Sequence, residues 1–124
     1  MILVVDDEAG IRQFVRVALE QAGYEVAEAA NAEEAWQIVE QSQPELLLTD
    51  IVMPGADGLH LAARAHKLRP QLRAIFLTGY AEQYSDELGG SVCLSKPFTV
   101  SALLSAVESA IGHPHPKTPM EPRS

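Results

Sequence analysis

Short apolar runs alternate along this chain with longer segments in which apolar residues recur every three or four positions. Four mainly apolar runs are Ile2–Val5, Leu46–Thr49, Ala74–Leu77 and Val92–Leu94, whereas Tyr24–Ala29 alternates apolar and charged side chains. A continuous apolar run is typical of a strand buried on both faces of a sheet, and alternation is typical of a half-exposed strand. The pattern therefore predicts five strands, with the second and the short fifth at the edges.

The segments between the strands carry helical periodicity together with signals for helix ends. Gly often follows the last turn of a helix, Asn with Glu three residues later resembles a capping box, and Pro cannot continue a helix. These signals predict five helices. The first ends at Gly23, the second begins at Asn31 with Glu34 and stops before Pro44, and the third runs from about Gly58 to Leu68. The fourth, over 81–88, is weakly marked, and the fifth is capped near Thr99 or Ser101.

Five strand–helix units in succession predict an α/β fold with a parallel sheet, right-handed crossovers and helices on both faces. Placing the apolar first, third and fourth strands in the centre gives the strand order 2-1-3-4-5, a doubly wound flavodoxin-like sheet. We expect one domain over residues 1–112. Residues 113–124 contain four prolines and no periodicity, so we expect a disordered tail there.

Polar residues follow four of the five predicted strands: Asp6 and Asp7 after the first, Asp50 on the third, Thr78 on the fourth and Lys96 after the fifth. The carboxyl ends of parallel strands meet at one edge of the sheet, where ligands bind. Because neighbouring carboxylates raise each other's pKa, three of them require a cation. Mg²⁺ fits, since it combines carboxylates with waters and phosphate oxygens. A carboxylate in such a site can accept a phosphoryl group.

Composition narrows the classes of function. The chain has 124 residues, 47% apolar residues, one cysteine and a net charge of −8. Its basic residues are scattered, which argues against direct nucleic-acid binding, and Cys93 alone cannot form an internal disulfide. No apolar stretch approaches the ~20 residues of a membrane span, and no basic segment precedes the first run, which breaks at Asp6. We therefore expect a cytoplasmic protein without membrane insertion.

Four motifs stand in order on the strand ends: VVDDE at Val4–Glu8, LLLTDIVMPGADG at Leu46–Gly58, FLTGYA at Phe76–Ala81 and LSKPF at Leu94–Phe98. Each motif alone is weak, but their joint occurrence is specific. The chain resembles the receiver domain of two-component response regulators and hybrid histidine kinases, and the resemblance runs from about Ile2 to Ile111.

The resemblance implies a phosphoacceptor and a metal site. Asp50 would accept the phosphoryl group and, with Asp7, would bind Mg²⁺ directly. Asp6 would orient a water of the metal, and the carbonyl of Val52 would supply a further ligand.

The resemblance also implies roles for the fourth and fifth strand ends. Thr78 would donate a hydrogen bond to the phosphoryl group. Lys96 would pair with Asp50 before phosphorylation and with phosphoryl oxygens afterwards, and the Lys96–Pro97 peptide bond would be cis.

A receiver takes its phosphoryl group from a phosphohistidine on a histidine kinase or a histidine-phosphotransfer protein, and it has no separate substrate to turn over. We expect docking around the first helix, where Ile11, Phe14 and Val15 are numerous for the core alone. The downstream partner, homodimerisation on phosphorylation, and the choice between a stand-alone regulator and part of a hybrid kinase stay open.

One position departs from the receiver pattern. Cys93, three residues before Lys96, stands where receivers commonly carry a Tyr or Phe that moves inward on phosphorylation. We expect Cys93 to be a small buried side chain. Tyr80 or Tyr84 could substitute for the missing aromatic, and we expect the output to pass mainly through residues 79–88.

Three alternative functions differ from a phosphoacceptor receiver in what they require of the strand ends. A haloacid-dehalogenase-type phosphatase would place its nucleophile in an Asp-x-Asp pattern on the first strand, which here ends in Asp6-Asp7-Glu8. A flavodoxin-like nucleotide binder would need an anion-binding loop there, and three acids would repel a phosphate. A pseudo-receiver that is never phosphorylated is argued against by the presence of Asp7, Asp50, Thr78 and Lys96. A purely structural interpretation makes Asp6 or Asp7 a cap of the first helix.

Overall fold

A computed structural model describes residues 1–53, 57–79 and 92–112 of the chain. In chain order the elements are β1 (Ile2–Val5), α1 (Ala9–Gln21), β2 (Val26–Ala29), α2 (Ala32–Gln41), β3 (Leu46–Asp50), α3 (Gly58–Leu68), β4 (Arg73–Thr78), β5 (Val92–Ser95) and α4 (Val100–Ile111). The predicted helix over 81–88 and the predicted disordered tail over 113–124 lie outside the described residues. No helix among those described is long and apolar enough to cross a membrane.

The described strands form one parallel sheet in the order β2-β1-β3-β4-β5. Every residue of β1 and β3 is buried, while β2 at one edge is mostly half-buried and β5 at the other edge is partly exposed. The continuous apolar runs are therefore central strands and the alternating run is an edge strand. These observations confirm the predicted flavodoxin-like α/β fold and its strand order.

Successive strand residues point to opposite faces of the sheet and so build two cores. One face packs on α1 and α4, through the buried residues Ile2, Val4, Leu46, Leu48, Val15, Leu19, Leu103 and Val107. The other face packs on α2 and α3, through Leu3, Val5, Leu47, Ala35, Val39, Leu61 and Ala65. The expectation that Val15 lies at a docking surface is therefore wrong, because Val15 is on the inner side of α1 and fully buried.

Helix ends largely follow the sequence signals. The side chain of Asn31 accepts a hydrogen bond from the amide of Glu34, at 2.9 Å. The Glu34 carboxylate accepts from the amide of Ala30 at 2.9 Å, one residue earlier than in the standard capping box. Thr99, and not Ser101, caps α4. Gly23 after α1 has φ of 102°, a left-handed conformation that favours glycine.

Two side chains donate hydrogen bonds to carbonyls at the ends of distant helices, and the sequence pattern did not predict these contacts. The guanidinium of Arg69, just after α3, donates to the carbonyls of Val39, Glu40 and Ser42 at 3.3–3.4 Å. It thereby satisfies acceptors at the end of α2 that lack an intrahelical partner. The buried Tyr24 packs in the core beside α1 and α4, and its hydroxyl donates to the carbonyl of Gly112, at 2.8 Å.

Replacing Tyr24 by Phe tests the link between the segment that joins α1 to β2 and the end of α4. The variant keeps the packed ring and loses one hydrogen bond, so we expect a loss of about 1 kcal/mol in the free energy of unfolding. Urea denaturation measures the difference. Tyr24→Ala, which also removes the ring, should cost about 3–5 kcal/mol. Equal stability of Tyr24→Phe and the wild-type protein would show that the hydroxyl contributes nothing.

Candidate phosphoacceptor site

The three acidic residues of the strand ends lie together at the carboxyl edge of the sheet. Val5 of β1 faces Thr49 of β3, so Asp6 and Asp50 follow side by side on neighbouring strands. Ligand oxygens of Asp6, Asp7 and Asp50 all lie within 4.8 Å of one another. Asp6 is fully buried, Asp50 is 8% exposed, and Asp7 faces solvent. The site thus combines two enclosed carboxylates with one that water reaches.

Lys96 brings the positive charge to this cluster. Its amide donates to the carbonyl of Thr78 at 2.9 Å, which carries the pairing of β4 and β5 one residue past the end of β5. Its Nζ donates to Oδ2 of Asp6 at 2.8 Å and to Oδ2 of Asp50 at 3.1 Å. Glu8 contributes a third, longer ion pair at 3.7 Å. The resemblance implied a partner in Asp50, and the structure adds a shorter contact with Asp6.

The Lys96–Pro97 peptide bond is cis, as the resemblance implies. The amide of Lys96, on the N-terminal side of this bond, pairs with the end of β4, and the Lys96 side chain extends toward Asp6 and Asp50.

The pKa values of Asp50 and Lys96 are both raised. Burial raises the pKa of Asp50, the charge of Asp6 adds to this, and hydrogen bonding and charge from Lys96 oppose it only in part. Burial alone would lower the pKa of Lys96, but its hydrogen bonds to Asp6 and Asp50 and their charges outweigh that effect. Lys96 therefore stays protonated, while ionised Asp50 carries an electrostatic cost that one lysine does not cancel.

The backbone near Asp50 leaves space only for a glycine at the start of α3. The amide of Gly58 donates to the carbonyl of Ile51 at 2.7 Å. A Cβ on Gly58 would overlap the carbonyl oxygen of Asp50 and would lie 2.9 Å from the hydroxyl of Thr49. That hydroxyl donates to the same Asp50 carbonyl, at 2.9 Å. The sequence marked Gly58 only as a helix start, since nothing local reveals this close approach.

The remaining predicted residues lie at the same edge. Thr78 ends β4 and is 1% exposed, one residue after Leu77, which faces Asp50 in the sheet register. A backbone hydrogen bond at Val52 favours the ionised form of Asp50. The metal-binding role of the Val52 carbonyl stays a prediction.

Asp6 and Asp7 do not cap α1. Glu8 occupies the position before the helix and makes no capping bond with its side chain. The Asp6 carboxylate instead accepts a hydrogen bond from the amide of Glu8, at 2.9 Å, and uses its other oxygen for Lys96. The structural interpretation of this acidic pair as a helix cap is therefore not supported.

Cys93 is half-buried, which differs from the full burial that we expected. It lies on the edge strand β5 opposite Phe76 and packs against a small cluster that contains Phe76 and Ile51. Burial raises the pKa of its thiol. The alternatives in Tyr80 and Tyr84, and the segment 80–88, lie outside the described residues.

The fold and the site together define a class of protein, the doubly wound α/β domains that carry an acidic pocket at the carboxyl edge of a parallel sheet. The family model described as Response regulator receiver domain matches residues 2–108 of this chain. The chain belongs to the response regulator receiver domain family, which acts in two-component signalling.

Known proteins similar to this chain include whole single-domain receivers. The response regulator receiver protein CpdR of Brucella abortus is 39% identical over 114 residues, which cover 89% of this chain and 95% of CpdR. Sporulation initiation phosphotransferase F of Bacillus subtilis is 36% identical over 111 residues, covering 86% and 90% of the two chains. The solved structure of TrrA from Thermotoga maritima, in complex with Mg²⁺-BeF, has a TM-score of 0.82 and 34% identity, covering 89% and 97%. The resemblance inferred from the motifs is confirmed.

Replacing Gly58 by Ala tests the close contact behind Asp50. Backbone atoms must shift to admit the methyl group, so we expect the free energy of unfolding to fall by at least about 1–3 kcal/mol. Gly10→Ala in α1 is the matched control, because nothing lies within 4 Å of its added Cβ. That variant should be neutral or stabilised by up to about 1 kcal/mol. Equal urea midpoints for the two variants would contradict the contact.

The raised pKa of Asp50 predicts a pH-dependent effect of Asp50→Asn in metal-free buffer. A group whose pKa is raised by folding contributes stability below its ordinary pKa and loses that contribution as the pH rises through the shifted value. Asn cannot ionise, so the variant should be more stable than the wild-type protein at neutral pH, and the difference should shrink on acidification. Urea unfolding of both proteins from neutral to acidic pH, in the presence of EDTA, measures this difference in the free energy of unfolding.

The exposed Glu40→Gln is the control for this titration, and its effect should stay within about 0.5 kcal/mol at every pH. An Asp50→Asn variant that is less stable than the wild-type protein at neutral pH would show that Lys96 overcompensates the buried charge.

Proposed function

We propose that this chain is a phosphoacceptor receiver that takes a phosphoryl group onto Asp50 with the help of Mg²⁺. The observation that supports this most is the convergence of three carboxylates and the Lys96 amine at one edge of the sheet. An Oδ of Asp50 attacks phosphorus, the bond from phosphorus to the donor's imidazole nitrogen breaks, and the imidazole leaves. The product is an aspartyl phosphate, a mixed anhydride that water later hydrolyses.

The donor set fits Mg²⁺. Asp6, Asp7 and Asp50 offer hard carboxylate oxygens. Asp7 and Asp50 would bind the ion directly, Asp6 would orient one of its waters, and the Val52 carbonyl is the third proposed direct ligand. Asp7 is exposed to solvent, which suits an ion that retains several waters. Receiver domains bind Mg²⁺ at an acidic pocket of this kind. When bound, the ion would neutralise charge on the carboxylates and on the entering phosphoryl oxygens.

Two other residues would act on the phosphoryl group. Lys96 holds Asp50 at 3.1 Å before the reaction, and its ammonium would pair with a phosphoryl oxygen afterwards. Thr78, at the end of the adjacent strand, would donate its hydroxyl to another phosphoryl oxygen. Asp50, Thr78 and Lys96 are thus the proposed catalytic set. The reaction modifies the chain itself, so we expect no turnover of a separate substrate.

The proposed donor is a phosphohistidine on a histidine kinase or a histidine-phosphotransfer protein, which would place the reaction in the cytoplasm. The surface of α1 supports a protein as the donor, because it offers apolar side chains for docking. Phe14 and Val17 on this helix are 40% and 39% exposed although both are large and apolar. The ring of Phe14 lies 6.0 Å from the ring of Phe98, two residues after Lys96. An apolar surface beside the acidic pocket would let a partner approach Asp50.

A phosphatase of the haloacid-dehalogenase type is not favoured. Its nucleophile would come from the end of β1, but both carboxylate oxygens of Asp6 are already engaged, by the amide of Glu8 and by Lys96. The pseudo-receiver alternative is distinguished from our proposal by labelling.

Labelling with a small phosphodonor tests the proposal. The protein is incubated with Mg²⁺ and acetyl phosphate, and its intact mass is measured. We expect one labile phosphoryl group per chain, absent when EDTA is added and absent in Asp50→Asn. Asp57→Asn is the matched control, because it makes the same change seven residues later and Asn preserves the cap that Asp57 provides to α3. Labelling of Asp50→Asn at the wild-type level would overturn the assignment.

A further inference from the structure

Every polar backbone and side-chain group of Asp6 has a partner. Its amide donates to the carbonyl of Ala29 in β2, at 3.3 Å. Its two carboxylate oxygens accept from the amide of Glu8 and from Nζ of Lys96. Its carbonyl accepts from Nη1 of Arg12, at 2.6 Å, the shortest of these contacts. The position of the acidic pair at the end of β1 is therefore fixed from four directions, and Arg12 supplies one of them.

Arg12 is itself held in place. It lies one turn into α1, its side chain is 18% exposed, and its Nε donates to a carboxylate oxygen of Glu28 at 3.3 Å. Glu28 lies on β2 directly opposite Val4 of β1. Its second oxygen pairs with Arg16, one turn further along α1, at 2.7 Å. The planar guanidinium of Arg12 thus bridges the strand beside β1 and the carbonyl of Asp6.

We infer that Arg12, oriented by Glu28, is a positioning residue for the metal-binding acids. It fixes the main chain at Asp6, from which the next residue, Asp7, extends toward the proposed ion. This inference rests on the proposed function. Partners that orient metal ligands commonly change metal affinity by about 10- to 100-fold when they are removed.

The sign of the effect separates positioning from simple electrostatics. Arg12 carries a positive charge near the proposed cation, so by Coulomb's law alone its removal would strengthen Mg²⁺ binding. A positioning role predicts the opposite, because the freed carbonyl lets the acidic pair move away from the binding geometry. Arg16 provides the matched control, since it pairs with the same Glu28 and no bond of Arg16 to Asp6 is found among the described residues.

The experiment measures the Kd of Mg²⁺ by calorimetry in the full chain, with the free energy of urea unfolding recorded for every variant. We expect Arg12→Gln to weaken Mg²⁺ binding about tenfold. Arg16→Gln should leave it unchanged or slightly stronger. Glu28→Gln should weaken it by less than Arg12→Gln, because Arg12 keeps its bond to Asp6. A role limited to stability would lower the unfolding free energy of Arg12→Gln without changing Kd.

The outcomes are distinct. If folded Arg12→Gln binds Mg²⁺ as tightly as the wild-type protein, or more tightly, the inference is overturned while labelling of Asp50 still stands. If Arg12→Gln does not fold, Arg12→Lys decides by the same comparison, since it keeps the charge and loses the two-armed geometry. A wild-type chain that neither binds Mg²⁺ nor accepts a phosphoryl group overturns the proposed function and, with it, the inference.

Discussion

The mutual repulsion of carboxylates at the ends of β1 and β3 is the constraint around which the rest of the site is arranged. Two of these carboxylates are enclosed, and enclosure makes an unpaired negative charge expensive. Lys96 directly follows the edge strand β5, lies 46 residues after Asp50 and 90 after Asp6, and bonds to both. The position of the Lys96 amine depends on the sheet, because the parallel pairing of β4 and β5 brings it to the edge where the carboxylates lie.

The three acids differ in their burial, and this difference suits each to a different role. Asp6 is fully buried and engaged by Lys96 and by the amide of Glu8, so it resembles a structural anchor whose charge is already paired. Asp7 faces water and can exchange its solvent shell for an ion. Asp50 lies between these extremes, and its raised pKa shows that a single lysine leaves its charge partly uncompensated. A divalent cation would supply what Lys96 does not.

The sequence predicted this arrangement well because helices cover both faces of the sheet. Central strands then tolerate only apolar residues, so a carboxylate or lysine stands out at the point where a strand ends. Contacts between side chains and distant carbonyls leave no such periodic signal. Tyr24 bonds to Gly112, 88 residues later, and Arg69 bonds to Val39 at the end of α2, 30 residues earlier. Only the three-dimensional fold brings these partners together. The restriction at Gly58 likewise arises from Asp50, eight residues earlier in the chain.

Cys93 bears on how a change at Asp50 could spread. It packs, half-buried, against the cluster of Phe76 and Ile51, and Ile51 directly follows Asp50. A thiol is too small to fill the space that an aromatic ring occupies, and it has no ring to exchange between buried and exposed positions. A displacement of the end of β4 would therefore find no aromatic ring at residue 93 of β5 with which to couple. If Asp50 is phosphorylated as we propose, the resulting change therefore cannot spread through the exchange of an aromatic ring at residue 93.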